Sequence, residues 1–202
     1  QKFQESLLIY KELLKRSPHC AELQNNTGVV YSTTGQSDIA CLYFLKALDI
    51  DPSFSYAHNN LGNSLRKQNK IEEALEHYRK ALELKSDLWQ FYYNYASAFY
   101  EIARWEEGIT YALKSLEYSG NNYHISTLLG LLYSETMETD RAVEWFQRAI
   151  HITPSSFLPF MYSGRVFHKN KLYDRAMEYY KKSLRLNKDN ACIYKYLGDL
   201  YH

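Results

Sequence analysis

Three asparagines, Asn26, Asn60 and Asn94, stand 34 residues apart in a chain of 202. A side-chain amide offers a donor and an acceptor together, which complements one peptide unit. Repeated at a fixed interval, such amides form a ladder that holds an extended chain by its backbone, with little choice among side chains. Asn25, Asn59 and Asn63 lie beside it. Farther along, the same register carries Leu128, Tyr162 and Tyr196, with Tyr93, Leu131, Leu158 and Met161 nearby. These read as an apolar continuation of one contact surface, since monomers seldom leave aligned apolar residues bare. Arg165, His168 and Lys169 edge the apolar half, and Arg66 and Lys67 edge the asparagine half, placed to receive an acidic partner. The expected peptide-binding residues are therefore Asn26, Asn60, Asn63, Asn94, Tyr93, Leu131, Leu158, Met161, Tyr162 and Arg165.

Other chemistry finds no support. HExxH, GxSxG, Walker and GxGxxG motifs are missing, so no enzyme activity, cofactor or small-molecule substrate is expected. The carboxylate pairs Glu72–Glu73 and Glu106–Glu107 fall at predicted helix starts, where acidic groups suit the helix dipole. No two of His58, His77, His124, His151 and His168 are four apart on one helix, so no metal site is expected. With 24 Lys and Arg against 23 Asp and Glu, there is no basic stripe for nucleic acid. The abundant tyrosines fall mostly in packing registers, such as Tyr31, Tyr133 and Tyr201. No apolar run approaches the roughly 20 residues of a membrane span. Cys20, Cys41 and Cys192 are odd in number and scattered, which suits a reducing compartment, cytoplasmic or nuclear.

The elements that must carry the asparagines are set by the same interval. Gly28, Gly62, Gly130, Gly164 and Gly198 share a 34-residue register, and Ala96 fills its one gap. Ala40, Ala74, Gly108, Ala142 and Ala176 follow 12 residues later. Four residues beyond come Phe44, Tyr78, Phe146 and Tyr180, broken only by Ala112. Pro18, Pro52 and Pro154 share a further register. Each period holds two amphipathic stretches joined by short turns, a helical hairpin in which small residues permit close approach and aromatic residues fill the space beside them. One hairpin cannot bury its apolar face alone, so successive hairpins must stack.

This pattern resembles the tetratricopeptide repeat family. The resemblance implies an all-α, right-handed superhelical solenoid of antiparallel helix pairs, its concave groove lined by first helices. In the family's frame, residues 1–20 form the second helix of a partial repeat and 191–202 the first helix of another. Full repeats run 21–54, 55–88, 89–122, 123–156 and 157–190. The repeat at 89–122 departs most, with Ala96, Ala112 and Gly120 in place of Gly, aromatic and Pro. Partial repeats at both ends suggest an excerpt of a longer protein.

In each first helix, repeat positions 4, 7, 8 and 11 make the packing stripe, and positions 2, 6, 9 and 13 lie opposite. The asparagines occupy position 6, an arrangement similar to the asparagine ladder in the repeat arm of O-linked N-acetylglucosamine transferases. The lysine clamp of chaperone-tail binders is not matched, because position 5 carries Asn25, Asn59, Tyr93, Thr127 and Met161. The expected function is a protein-interaction module or scaffold that holds an extended peptide in its groove. Two alternatives remain open: the substrate-recruiting arm of a larger, glycosyltransferase-like enzyme, or a structural subunit docking by its ends and edges in a multiprotein assembly.

Overall fold

A computed structural model of the chain describes residues 2–200. Among these are twelve α-helices and no strand. They are α1 (Lys2–Arg16), α2 (Ala21–Thr33), α3 (Ser37–Ile50), α4 (Ser55–Lys67), α5 (Ile71–Leu84) and α6 (Trp89–Glu101), then α7 (Trp105–Ser119), α8 (Tyr123–Glu135), α9 (Thr139–Ile152), α10 (Leu158–Lys169), α11 (Tyr173–Leu186) and α12 (Ala191–Asp199). The boundaries follow the 34-residue frame, and the fold is the all-α helical-repeat solenoid expected. Tyr201 lies outside the described residues. The chain divides after Ile102 into two compact units, inside the repeat that departs most from the pattern.

In the first unit α2 pairs with α3 and α4 with α5, while α1 packs on α2 and α6 on α5. Neighbouring first helices also touch there, α2 against α4 and α4 against α6. The second unit repeats the plan, with α8 paired to α9, α10 to α11, and α8 against α10.

Four of the hairpins close on one contact. The rings of Phe44, Tyr78, Phe146 and Tyr180 are buried, and each lies on the glycine of the facing first helix. A methyl added at Gly28, Gly62, Gly130 or Gly164 would lie 2.5–2.7 Å from a ring carbon. That is well inside van der Waals contact, so the absence of a side chain is what admits the ring. Ala40, Ala74, Ala142 and Ala176, one turn earlier on the second helices, are fully buried beside these rings.

The turn inside each hairpin has its own periodic device. Gly35, Asn69, Ala103, Met137 and Lys171, again 34 residues apart, all take positive φ of 59–80°. In four of these turns the next residue donates its N–H to a carbonyl five positions back: Gln36 to Tyr31, Lys70 to Leu65, Glu138 to Tyr133 and Leu172 to Phe167, at 2.9–3.0 Å. This is the bonding of a left-handed helix C-terminus. Only the first of the five turns uses glycine; the others hold a side chain in a conformation that costs about 1–2 kcal/mol. Acidic residues open the second helices, including Glu72 and Glu73 on α5 and Glu106 and Glu107 on α7, where they face the helix dipole.

Between α4 and α5 the histidines His58 and His77 meet, their Nδ1 atoms 2.9 Å apart. His58 Nε2 lies 3.1 Å from the Pro52 carbonyl, which can only accept. His58 Nδ1 is therefore the bare acceptor and His77 donates to it. Burial, then the facing His58 ring and Lys80, push His77 down to about 4, against smaller opposing effects of Glu76 and Glu73. Burial likewise lowers His58.

Two outcomes follow from this packing. Gly130→Ala should destabilise the fold by about 1–3 kcal/mol through overpacking, overriding the helix propensity of about 1 kcal/mol that favours Ala. Thermal unfolding checks the sign, and adding Phe146→Leu should restore part of the loss; stabilisation by the single change would refute the seat. Because His77 titrates near 4 when folded and near 6.5 when unfolded, the unfolded state binds the extra proton between those values. Stability contributed by neutral His77 is then complete above the unfolded value and falls as pH drops from 6.5 towards 4. His77→Gln should flatten that part of the Tm–pH curve, whereas an unchanged slope would show the pair is not responsible.

Candidate peptide groove

Each unit carries a cavity on the same repeat positions. In the first, about 270 Å³ is lined by Val29, Ser32 and Thr33 of α2, Phe44 of α3, Asn60, Asn63, Arg66 and Lys67 of α4, and Asn94 of α6. In the second, about 400 Å³ is lined by Ser134 and Glu135 of α8, Arg165, His168 and Lys169 of α10, Tyr180 of α11, and Tyr196 and Asp199 of α12. Positions 6, 9 and 13 of the expected free face line both cavities, and position 12 stands in place of position 2.

The asparagines make a bonded system. Asn60 donates to Asn25 Oδ1 at 2.9 Å, and Asn94 donates to Asn59 Oδ1 at the same distance. Asn25 in turn donates to Asn26 Oδ1 at 3.3 Å. Position 6 of one repeat is thus tied to position 5 of the repeat before it. Asn25 and Asn59 are buried, whereas Asn26 is exposed and Asn60 and Asn94 are half-buried. Each amide nitrogen carries two hydrogens, so Asn60 and Asn94 keep one N–H and the carbonyl beyond these braces. Asn63 accepts from the Tyr78 hydroxyl at 2.8 Å, leaving its amide nitrogen on the cavity wall.

The cationic rim is engaged within the first unit. Arg66 pairs with Glu101 at 3.1 Å, and Lys67 donates to the Ser32 carbonyl and hydroxyl at 3.3 and 3.2 Å. In the second unit Lys169 stands 3.9 Å from Glu135, and His168 lies edge-on to Tyr173. Arg165 is exposed and sits over the Tyr196 ring, 5.9 Å from its centre.

The apolar half of the expected surface needs correction. Met161 is only 8% exposed and belongs to the core of the second unit with Phe167, Ala176, Tyr180 and Ile193. It occupies position 5, where Asn25 and Asn59 are also buried, so that position is not part of the free face. Leu128 is buried too. Leu158, Tyr162 and Tyr196 are half-buried against the core, Tyr162 with its ring 5.7 Å from Phe146. Tyr93 and Leu131 are also half-buried, and neither lines the two cavities. Tyr180, Glu135 and Asp199 were not anticipated; Tyr180 reads in sequence only as a packing aromatic. Among the described residues no three metal-ligating side chains converge, and no helix is long and apolar enough to cross a membrane.

Asn60→Ala would leave the buried Asn25 Oδ1 without its donor and should lower stability by about 1–3 kcal/mol. Asn26→Ala, at an exposed site, should cost under about 0.5 kcal/mol. Denaturant unfolding of both variants checks this; equal effects would contradict the brace.

Comparison with known proteins agrees with the fold. Family models described as tetratricopeptide repeat match residues 55–88, and 21–54, 123–156 and 163–190, well over half the chain. A search of curated proteins returns no match. Among solved structures, YrrB, described as a tetratricopeptide repeat protein with an unusual peptide-binding site, superposes with a TM-score of 0.74 at 17% identity, over 92% of this chain and 96% of that one. The APC/C hetero-tetramer Cut9–Hcn1 gives 0.82 at 20% identity, with 96% of this chain spanning 38% of that one. Pseudomonas aeruginosa pilF gives 0.76 at 24%, covering 89% and 81%. The repeated hairpins, their glycine-seated rings and the matched segments give one conclusion: the chain belongs to the tetratricopeptide repeat family.

Proposed function

We propose that this protein-interaction module binds an extended segment of a partner protein along the free face of its first helices. In the first unit the segment's backbone bonds to Asn60 and Asn94, with Asn26 and Asn63 beside them. In the second unit, taken by itself, the same face offers Arg165, Tyr196 and the half-buried rings of α10 to a partner segment. The observation that carries this reading is the recurrence of a cavity on the same repeat positions in both units, the first lined by amides with bonding capacity left over. The braces support it further, because an amide held by its neighbour meets a ligand already oriented and loses less freedom on binding. A disordered segment pays its own ordering cost, so modest affinity is expected. Peptide binding by YrrB, a protein of the same fold, is in keeping with this use of the face.

A second reading, docking through the outer surface, has one observation behind it. Leu8 of α1 and Leu42 of α3 occupy the same repeat position and are 74% and 59% exposed, where α5, α9 and α11 carry Glu76, Glu144 and Glu178. The two readings separate by photo-crosslinking in lysate. A benzoylphenylalanine replacing Val29, in the groove, should capture the partner, and one replacing Leu42 should not. Capture from the Leu42 position alone would favour docking and refute the groove.

A further inference from the structure

The two cavities differ in whether their donors are satisfied. In the first unit the buried Tyr78 hydroxyl donates to Asn63, Arg66 meets Glu101, and Lys67 meets Ser32. In the second unit the equivalent phenol, Tyr180, is 0% exposed and its hydroxyl has no hydrogen-bond partner. The reason is a substitution: position 9, asparagine at Asn63, is Arg165 in the repeat that faces Tyr180. A guanidinium has no lone pair to offer, so it cannot accept from the phenol. Arg165 itself has no ion-pair partner among the described residues and rests only over the Tyr196 ring.

Tyr180 lines the cavity. The groups that act on it electrostatically are Tyr196, Arg165 and Asp199, and all three line that space. Burial raises the phenol far above the usual tyrosine range, with Tyr196 and Asp199 adding to this and Arg165 opposing it, so Tyr180 keeps its proton as a donor. Tyr196 stacks on Tyr180, their centres 5.4 Å apart and planes 17° from parallel, which fixes both rings. A neutral donor at the floor and a cation at the wall, neither supplied with an acceptor, define a receptor for an anionic oxygen pair. Lys169 adds positive charge, largely offset by Glu135, while Asp199 opposes an anion from the rim.

We propose that this cavity binds a carboxylate of the partner peptide, one oxygen accepting from Tyr180 Oη and the other from the Arg165 guanidinium. The site rests on the groove reading above and gives it a chemical preference. The ladder of the first unit is unselective among side chains, whereas the socket of the second is acid-selective. The structure also sets a trade: a buried hydroxyl without a partner destabilises the free protein, and the ligand removes that penalty.

The test uses arrays of nine-residue peptides of randomised sequence with both ends blocked, so that only side chains supply carboxylates. The native chain should select peptides with Asp or Glu at one fixed place. For a selected peptide, Tyr180→Phe or Arg165→Gln should weaken binding by roughly tenfold or more, as expected for a charge-assisted bond. The matched peptide with Asn or Gln should bind native and variant chains equally. Asp199→Asn should tighten the acidic peptide, and thermal unfolding should show Tyr180→Phe at least as stable as the native chain. A second array with free C-termini distinguishes the chain end from a side chain as the source; selection of either carboxylate supports the site. Peptides selected without acidic preference, and unaffected by Tyr180→Phe, would overturn the socket and leave the groove standing. No selection from either array would overturn both.

Discussion

An aromatic ring seated on a bare glycine fixes how closely the two helices approach in four of the hairpins, and the groove depends on that distance. Gly28 with Phe44, Gly62 with Tyr78, Gly130 with Phe146 and Gly164 with Tyr180 are four copies of one contact. The seat orients these first helices by pinning position 8 inward, which turns Asn26, Asn63, Lys67, Glu135, Arg165 and Lys169 towards the groove side. The aromatic ring also reaches across the hairpin to the groove floor. Phe44 and Tyr180 line the two cavities, and the Tyr78 hydroxyl bonds to Asn63 on the cavity wall. Packing and groove are therefore made by the same side chains.

That coupling explains why the asparagines act in two ways. Asn25 and Asn59, at position 5, are buried where successive first helices touch, and a polar group there must be bonded. In the first unit Asn25 and Asn59 receive that bond from Asn60 and Asn94. In the second unit Met161 fills position 5 with apolar volume, and no amide is needed. One seam is polar and registers neighbouring repeats by direction; the other is apolar and packs by shape. The face above each seam differs accordingly, amide-rich in one unit and aromatic and cationic in the other.

Much of the fold was legible in sequence because helix pairing needs small and large residues at fixed places. Gly62 and Tyr78 advertise their contact by type as well as by spacing. The hairpin turns were not legible: Gly35, Asn69, Ala103, Met137 and Lys171 share a backbone conformation but no chemistry, so position alone defines them. Positions 6, 9 and 13 line both cavities, as helical angle implies, but Leu128 at position 6 is buried. It was misread at Met161, where angle about one helix says nothing of the neighbouring first helix that covers it. Tyr180 was hidden for a related reason. Its type marks it as core, and only the loss of its asparagine partner to Arg165, a residue of another helix, turns its hydroxyl into an unfilled donor. The His58–His77 pair likewise joins residues 19 apart on two helices, beyond any single-helix spacing rule.

The central claim is that the face left over by packing is the face that binds. Asparagine side-chain amides report on it directly in proton–nitrogen correlation spectra of the labelled chain, titrated with a peptide that the chain captures. The account predicts that the amides of Asn26, Asn60, Asn63 and Asn94 shift progressively, while those of Asn122, Asn170 and Asn187 stay fixed. Stationary groove amides, with bound peptide evident from movement of backbone resonances on α3 or α5, would contradict it.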